Sequence, residues 1–120
     1  MTLQNIAKEG AELIKQQAPN TRFRVISHYD ADGITAAAII CLSLQREGYD
    51  FHATLMRNPF TQGLEKVKKE NNDFIIFTDM GSGQLPILET FSSQIIIIDH
   101  HQIIKEKTLD NILQINANLF

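Results

Sequence analysis

Short apolar runs set the rhythm of this chain. Phe74 to Phe77 and Ile95 to Ile98 have no polar face at all, and Phe23 to Ser27 and Ile112 to Ile115 are nearly as apolar. Runs of this length, bounded by polar residues, predict strands buried on both sides. Phe51 to Met56 differs, because His52 and Thr54 alternate with Ala53 and Leu55; this predicts a strand in a less buried position. Helical spacing fills the intervals. Leu3, Ile6, Ala7, Leu13 and Ile14 share one face while Lys8, Glu9, Glu12 and Lys15 lie off it, which predicts a helix over 3–17 ended by Ala18-Pro19-Asn20. Gly33 to Arg46 is apolar nearly all round, so it predicts a helix buried on most sides and stopped by Gly48. Pro59 opens a third helix, through about Asn71, with Leu64 and Val67 inward, and Gln84 to Phe91 forms a short fourth with Pro86 in its first turn. Strand and helix therefore alternate. The expected fold is α/β, a mostly parallel sheet of about five strands flanked by helices.

Composition narrows the picture without naming a function. The chain has 120 residues, enough for one domain, and 43% of them are hydrophobic, enough for a real core. The net charge is −3, so no global positive field draws the chain to nucleic acid or to an anionic membrane. A phosphate-rich partner must then be met by a local patch or through metal ions. The single cysteine, Cys41, lies in an apolar segment and reads as a small core residue in a reducing compartment. The start, Met1-Thr2-Leu3-Gln4-Asn5, lacks the basic and apolar regions of a signal peptide. No apolar stretch approaches the ~20 residues that span a bilayer. The expectation is a cytoplasmic protein with no membrane partner.

The candidate chemistry sits directly after the apolar runs. Three of the four histidines fall there, in His28-Tyr29-Asp30-Ala31-Asp32-Gly33 and Asp99-His100-His101, and Asp79 follows the third strand. Loops at the carboxyl ends of parallel strands are where open α/β sheets bind ligands. In extended backbone His28, Asp30 and Asp32 would project to one side, a donor set suited to Mn²⁺ or Mg²⁺; the plainer reading is a turn whose aspartate caps the next helix. Asp79 taken alone reads as a turn or cap, but Gly81-Ser82-Gly83 follows it, a turn whose amides can approach an anion, and a carboxylate there could bridge two cations. Asp99-His100-His101 abuts four isoleucines, where unpaired polar groups would be costly. A neighbouring acid can orient a ligating histidine, and the second histidine is free to touch phosphate or donate a proton. Arg57 and Asn58 follow the second strand, where Arg57 reads either as a phosphate clamp or as solvated surface. His52 reads as structural, Lys66, Lys68 and Lys69 as a solubilising helix face, and Lys105 and Lys107 as contacts to a nucleic acid backbone near the histidine pair.

Ser27-His28-Tyr29-Asp30-Ala31-Asp32-Gly33, the isolated Asp79, and Asp99-His100-His101 resemble motifs I, II and III of the DHH phosphoesterase superfamily. Their wording is most similar to RecJ-type single-strand nucleases of the archaeal, GINS-associated kind. The resemblance spans residues 22 to 101 and implies an amino-terminal DHH domain with Mn²⁺- or Mg²⁺-dependent phosphodiester hydrolysis and two ions in the complete site. It implies metal ligation by His28, Asp30, Asp32, Asp79 and His100, with His101 contacting substrate phosphate and Asp99 serving as an acid beside them; His101 and Asp99 are the catalytic pair. Gly81, Ser82, Gly83 and Arg57 are the candidate phosphate contacts. Implied partners are single-stranded nucleic acid or a nucleotide, and a GINS-bearing replicative helicase.

The chain departs from the family pattern after His101. Asp110 is the sole later aspartate and falls too soon for motif IV, and no second, DHHA1-type domain follows. The expectation is an incomplete domain over 1–120, truncated at its C-terminus, with little or no turnover on its own. Three functions stay open: a single-strand exonuclease, a phosphoesterase of small nucleotides or oligoribonucleotides, and an inactive scaffold associated with the replicative helicase.

Overall fold

The computed structural model describes residues 2–103 and 109–119. Helix α1 (Leu3–Lys15), whose cap Thr2 accepts the Asn5 amide, leads into strand β1 (Arg22–His28). Then follow α2 (Ala31–Arg46), β2 (Asp50–Met56), α3 (Thr61–Lys69) and β3 (Phe74–Thr78). A 3₁₀ turn, Ser82–Gln84, precedes α4 (Leu85–Leu88), β4 (Gln94–Asp99) and β5 (Ile112–Asn116), and a second, Ala117–Leu119, follows β5. The five strands form one sheet in the order β2-β1-β3-β4-β5, every neighbouring pair parallel. This is the expected α/β architecture.

The pleat splits the apolar runs between two cores. Phe23, Val25, Phe74, Ile76, Ile96 and Ile115 pack with Ile6 of α1 and with Ala37 and Leu44 of α2. Ile26, Ile75, Phe77, Ile95, Ile97 and Ile112 pack with Leu64 and Val67 of α3 and with Leu85 and Leu88 of α4. A strand with both faces covered needs apolar residues at every position, which is why β3 is buried throughout. Strand β2 lies at the sheet edge, and its half-polar alternation matches that place. The connection leaving β1 runs over one face through α2, and the chain reaches β3 over the other face through α3. The carboxyl ends of β1 and β3 thus part at a switch point, the crevice where ligands bind in such sheets.

Two expectations about α2 are corrected. It is not buried on most sides: Gly33, Ala37 and Leu44 are its buried residues, whereas Ile34, Ile39 and Leu42 are 48%, 60% and 46% exposed. A helix lying on an open sheet contacts it along one stripe, and among the described residues no further layer covers the rest. The helix also starts two residues early, at Ala31, because Asp30 caps it by accepting the Gly33 amide at 2.8 Å. Only glycine fits at 33, where an added Cβ would stand 1.9 Å from the His28 carbonyl oxygen. Lys105 and Lys107 lie outside the described residues.

Candidate metal centre

The end of β1 sets the first group of donors. Ser27 is fully buried and its hydroxyl lies 2.7 Å from both the Gly33 and Thr78 carbonyls, while the Thr78 hydroxyl donates to it at 2.8 Å. This knot ties the start of α2 to the end of β3. His28 follows, its Nδ1 2.9 Å from Asp30 Oδ2 and 3.8 Å from Asp79 Oδ2. The Gly33 amide, chiefly, holds the Asp30 carboxyl below the usual carboxylate range. Asp32 is placed differently from the extended-backbone expectation. It lies in the first turn of α2, exposed, so it does not project beside His28 and Asp30, and it belongs to neither of the two donor groups found among the described residues.

Asp79 stands where β3 leaves the sheet. Its φ is 57°, a left-handed conformation that aspartate tolerates better than most residues. Its amide donates to the Ile98 carbonyl at 3.0 Å, and its side chain is 5% exposed. Oδ1 lies 2.7 Å from His100 Nε2, whereas Oδ2 is buried with no hydrogen-bond partner among the described residues. Burial pushes the Asp79 pKa up, the His100 contact opposes this, and the neighbouring Asp30 carboxylate adds to the rise.

Asp99 is the last residue of β4 and is buried. Oδ1 accepts the His100 amide at 2.8 Å and lies 2.6 Å from His101 Nδ1, while Oδ2 accepts the Ser82 amide at 3.2 Å. Burial pushes its pKa up, but the bond to His101 and those backbone amides outweigh it and hold the carboxyl below its ordinary value. The same carboxylate raises the pKa of His101. Strand β5 fastens this turn from behind. Asn116, fully buried and paired in register with Asp99, donates from Nδ2 to Ser82 Oγ and to the His101 carbonyl, both at 2.9 Å. Asn118 donates from Nδ2 to the carbonyls of His100 and His101 at 3.1 and 3.2 Å.

The elements therefore bring His28, Asp30, Asp79, Asp99, His100 and His101 to one rim. Ligand atoms of His28, Asp30 and Asp79 lie within 4.8 Å of one another, as do those of Asp79, Asp99, His100 and His101. Asp79 belongs to both groups. Its unpartnered Oδ2, buried between an imidazole and a second carboxylate, fits a divalent cation, since an ionised oxygen so placed is costly without a counter-charge. A cavity of about 240 Å³ opens on this rim, lined among others by His28, Asp79, Asp99 and His101. A larger one, about 450 Å³, lies at the opposite end of the sheet beside Lys68, Lys69 and Ser93. It contains none of these donors, so chemistry rather than size identifies the site.

The other candidates are placed unevenly. The Gly81 and Ser82 amides are engaged, donating to Gln84 Oε1 and Asp99 Oδ2; Gly83 lines the cavity. Arg57 lies exposed at the end of β2 with its guanidinium 4.4 Å from the ring centroid of Tyr29. His52 is exposed on β2, and its carbonyl accepts from Arg24 at 3.0 Å. Cys41 is half-buried and packs against the α1/α2 core. Sequence reasoning missed Tyr29, Phe60, Asn116 and Asn118. Asn116 carried the signal that flagged Asp99, a polar residue at the carboxyl end of an apolar strand. Tyr29 and Phe60 carried none, because an aromatic in a loop reveals its neighbours only once folded.

The model of the DHH family, N-terminal domain, matches residues 22–118. An uncharacterized protein of Methanocaldococcus jannaschii is 37% identical over 102 residues, which are 81% of this chain and 24% of that protein. Among solved structures, Mn²⁺-bound RecJ from Thermus thermophilus aligns with a TM-score of 0.65 at 26% identity, over 93% of this chain and 16% of that one. CDC45 from Entamoeba histolytica aligns with a TM-score of 0.72 at 18% identity, over 95% of this chain and 24% of that one, a likeness of fold. The chain spans about a quarter of the curated relative it matches. No helix among the described residues is long and apolar enough to cross a membrane.

Proposed function

Because this chain belongs to the DHH family, we propose that it is the metal-binding domain of a phosphoesterase that hydrolyses phosphodiester bonds of single-stranded nucleic acid from an end. The observation that carries this reading is the Asp79 carboxylate, buried, shared by two groups of donors and left with one oxygen unpartnered. His28, Asp30, Asp79 and His100 would hold Mn²⁺ or Mg²⁺, one ion in each group. Divalent cations supply Lewis acidity and neutralise charge gathering on phosphoryl oxygens.

The chain's own residues do the rest. Asp99 orients His101 through Nδ1, which leaves Nε2 of a half-exposed ring to donate a hydrogen bond to a phosphate oxygen or a proton to the leaving oxygen. The Asp99 contact favours the protonated imidazole that such donation needs. Arg57, whose guanidinium lies over the Tyr29 ring, would meet a phosphate further along the strand. The resemblance to archaeal RecJ-type proteins carries the proposal that the protein works beside the replicative helicase through a GINS-type partner, and the free Cys41 is in keeping with a reducing, cytoplasmic compartment. A small-nucleotide phosphoesterase would use the same rim. A scaffold without activity would have no use for a buried carboxylate with one oxygen left without a hydrogen bond.

Calorimetric titration with Mn²⁺, with and without Asp30→Ala, tests the metal site: heat from the unaltered protein and its loss in the variant is the expected result. Equal heats would favour the scaffold. Release of nucleotides from end-labelled single-stranded DNA or RNA, abolished by Asp79→Ala and by His100→Ala, tests the activity.

A further inference from the structure

The cavity on the metal rim does not end there. Asn58, Phe60, Gly83 and Gln84 line it, and the same residues line a second cavity of about 360 Å³ that continues past Ile87. The two form one groove, running from the acidic and histidine side chains over Phe60. Its character changes along the way. The rim end is charged, with His28, Asp79, Asp99 and His101. Beyond it Phe60 and Met80 supply an apolar wall, and Asn58 and Gln84 line the cavity beside them, Gln84 already accepting the Gly81 amide through Oε1.

Phe60 is held in place. It packs against the core beneath α3 and meets the His28 ring edge-on, with centroids 5.5 Å apart and planes at 86°. A fixed aromatic next to a phosphate site, with amides at its margin, suits a ligand with an anionic end and a flat apolar body whose edge is polar. A nucleobase has that shape, since every base offers a face that stacks and an edge that takes donors and acceptors.

We infer that this groove is a nucleobase subsite in which Phe60 stacks against the base of the nucleotide whose phosphate lies at the metal rim. The inference rests on the phosphodiesterase reading and adds to it a residue that distinguishes nucleotides from bare phosphate. The gain from Phe60 should appear for a nucleotide and vanish for inorganic phosphate.

The test measures affinity for adenosine 5′-monophosphate and for inorganic phosphate, each with Mn²⁺ present, in the unaltered protein, Phe60→Leu and Phe60→Tyr. Leucine keeps the packing apolar while removing the ring, and tyrosine keeps the ring. The expected result is a loss of about tenfold in nucleotide affinity for Phe60→Leu, none for Phe60→Tyr, and no change in Mn²⁺ or phosphate affinity for either. Nucleotide affinity unmoved by Phe60→Leu, or lost in step with phosphate affinity, would overturn the subsite while leaving the metal site standing. Absence of Mn²⁺ binding in the unaltered protein would overturn both readings.

Discussion

His100 Nε2 lies 2.7 Å from Asp79 Oδ1, across the gap between the ends of β4 and β3. The sheet register prepares this meeting: Thr78 pairs with Ile98 and the Asp79 amide donates to the Ile98 carbonyl, so Asp79 leaves the sheet beside Asp99 and within reach of His100, the next residue. One contact thereby joins two motifs that are apart in the chain. It also leaves the second oxygen of Asp79 turned toward His28, and from this arrangement the first prediction follows.

Asp79→Asn should stabilise the metal-free protein while removing its response to metal. Burial raises the Asp79 pKa in the folded state, so its contribution to stability is full below the unfolded carboxylate pKa and is lost as pH rises through the folded value. Asparagine carries no charge to bury and tolerates the positive φ. In EDTA at neutral pH the variant should melt above the unaltered protein. Added Mn²⁺ should raise the melting temperature of the unaltered protein alone, with affinity in the variant down by ~100-fold or more, the upper end of what outer partners of a metal site cost. A variant less stable in EDTA would show that the Asp79 charge is compensated without a cation.

The Asp99–His101 pair predicts a pH dependence of the opposite origin. Asp99 raises the His101 pKa, so the stability of this contact is fully present below the ordinary histidine pKa and is lost as pH rises through the folded value. Asp99→Asn should return the His101 titration, followed by NMR of its ring protons, toward the ordinary imidazole value. The same variant should lower the alkaline limit of any hydrolytic activity. An unmoved titration would remove Asp99 from its orienting role.

Asn116 makes a prediction about positioning. Its side-chain amide donates both to Ser82 Oγ and to the His101 carbonyl from a fully buried place. Asn116→Ala removes the donor to buried Ser82 Oγ and the acceptor of the Asn118 amide, while the His101 carbonyl keeps Asn118 Nδ2, at a cost of about 1–3 kcal/mol, measurable by urea denaturation. Loosening the turn that carries His100 should also weaken Mn²⁺ binding by ~10-fold, as for outer partners of other metal sites. Lost stability with unchanged metal affinity would make Asn116 a packing residue alone.

A further pair, far from the rim, serves as a control for acid sensitivity. Arg24, 7% exposed at its side chain, bonds Glu70 through Nε at 2.8 Å and Nη2 at 3.2 Å. This holds the Glu70 pKa low, so its stabilisation is present above the unfolded carboxylate pKa and is lost as pH falls through the folded value. Glu70→Gln should cost about 1 kcal/mol at neutral pH, a figure discounted because Glu70 is itself 38% exposed. The difference from the unaltered protein should shrink to nothing in acid.

How much of the site was legible in the chain depends on the type of signal. Asp79, Asp99 and His100 stand directly after strands that are apolar on both faces, and such strands are parallel and end at a common edge. Their meeting could be anticipated from pattern alone. Asp32 could not be placed that way. Alternation past His28 suggested extended backbone, but Asp30 captured the Gly33 amide and helix α2 began there. A local cap, stabilised by a hydrogen bond and by the helix dipole, overrode the strand period. The exposure of Ile34, Ile39 and Leu42 was hidden too, because composition shows that a helix is apolar and not how many layers cover it.

By itself, then, the order of residues determined the alternating elements, the parallel sheet, and the carboxylates and imidazoles gathered at one edge, since side-chain periodicity and strand burial are local properties. Tertiary structure alone decided the rest: that Asp79 is shared between two groups of donors, that Asn116 and Asn118 hold the histidine turn, and that Phe60 faces a groove leading from it. Those relations depend on register and on the approach of distant backbones, which packing sets and no local pattern encodes.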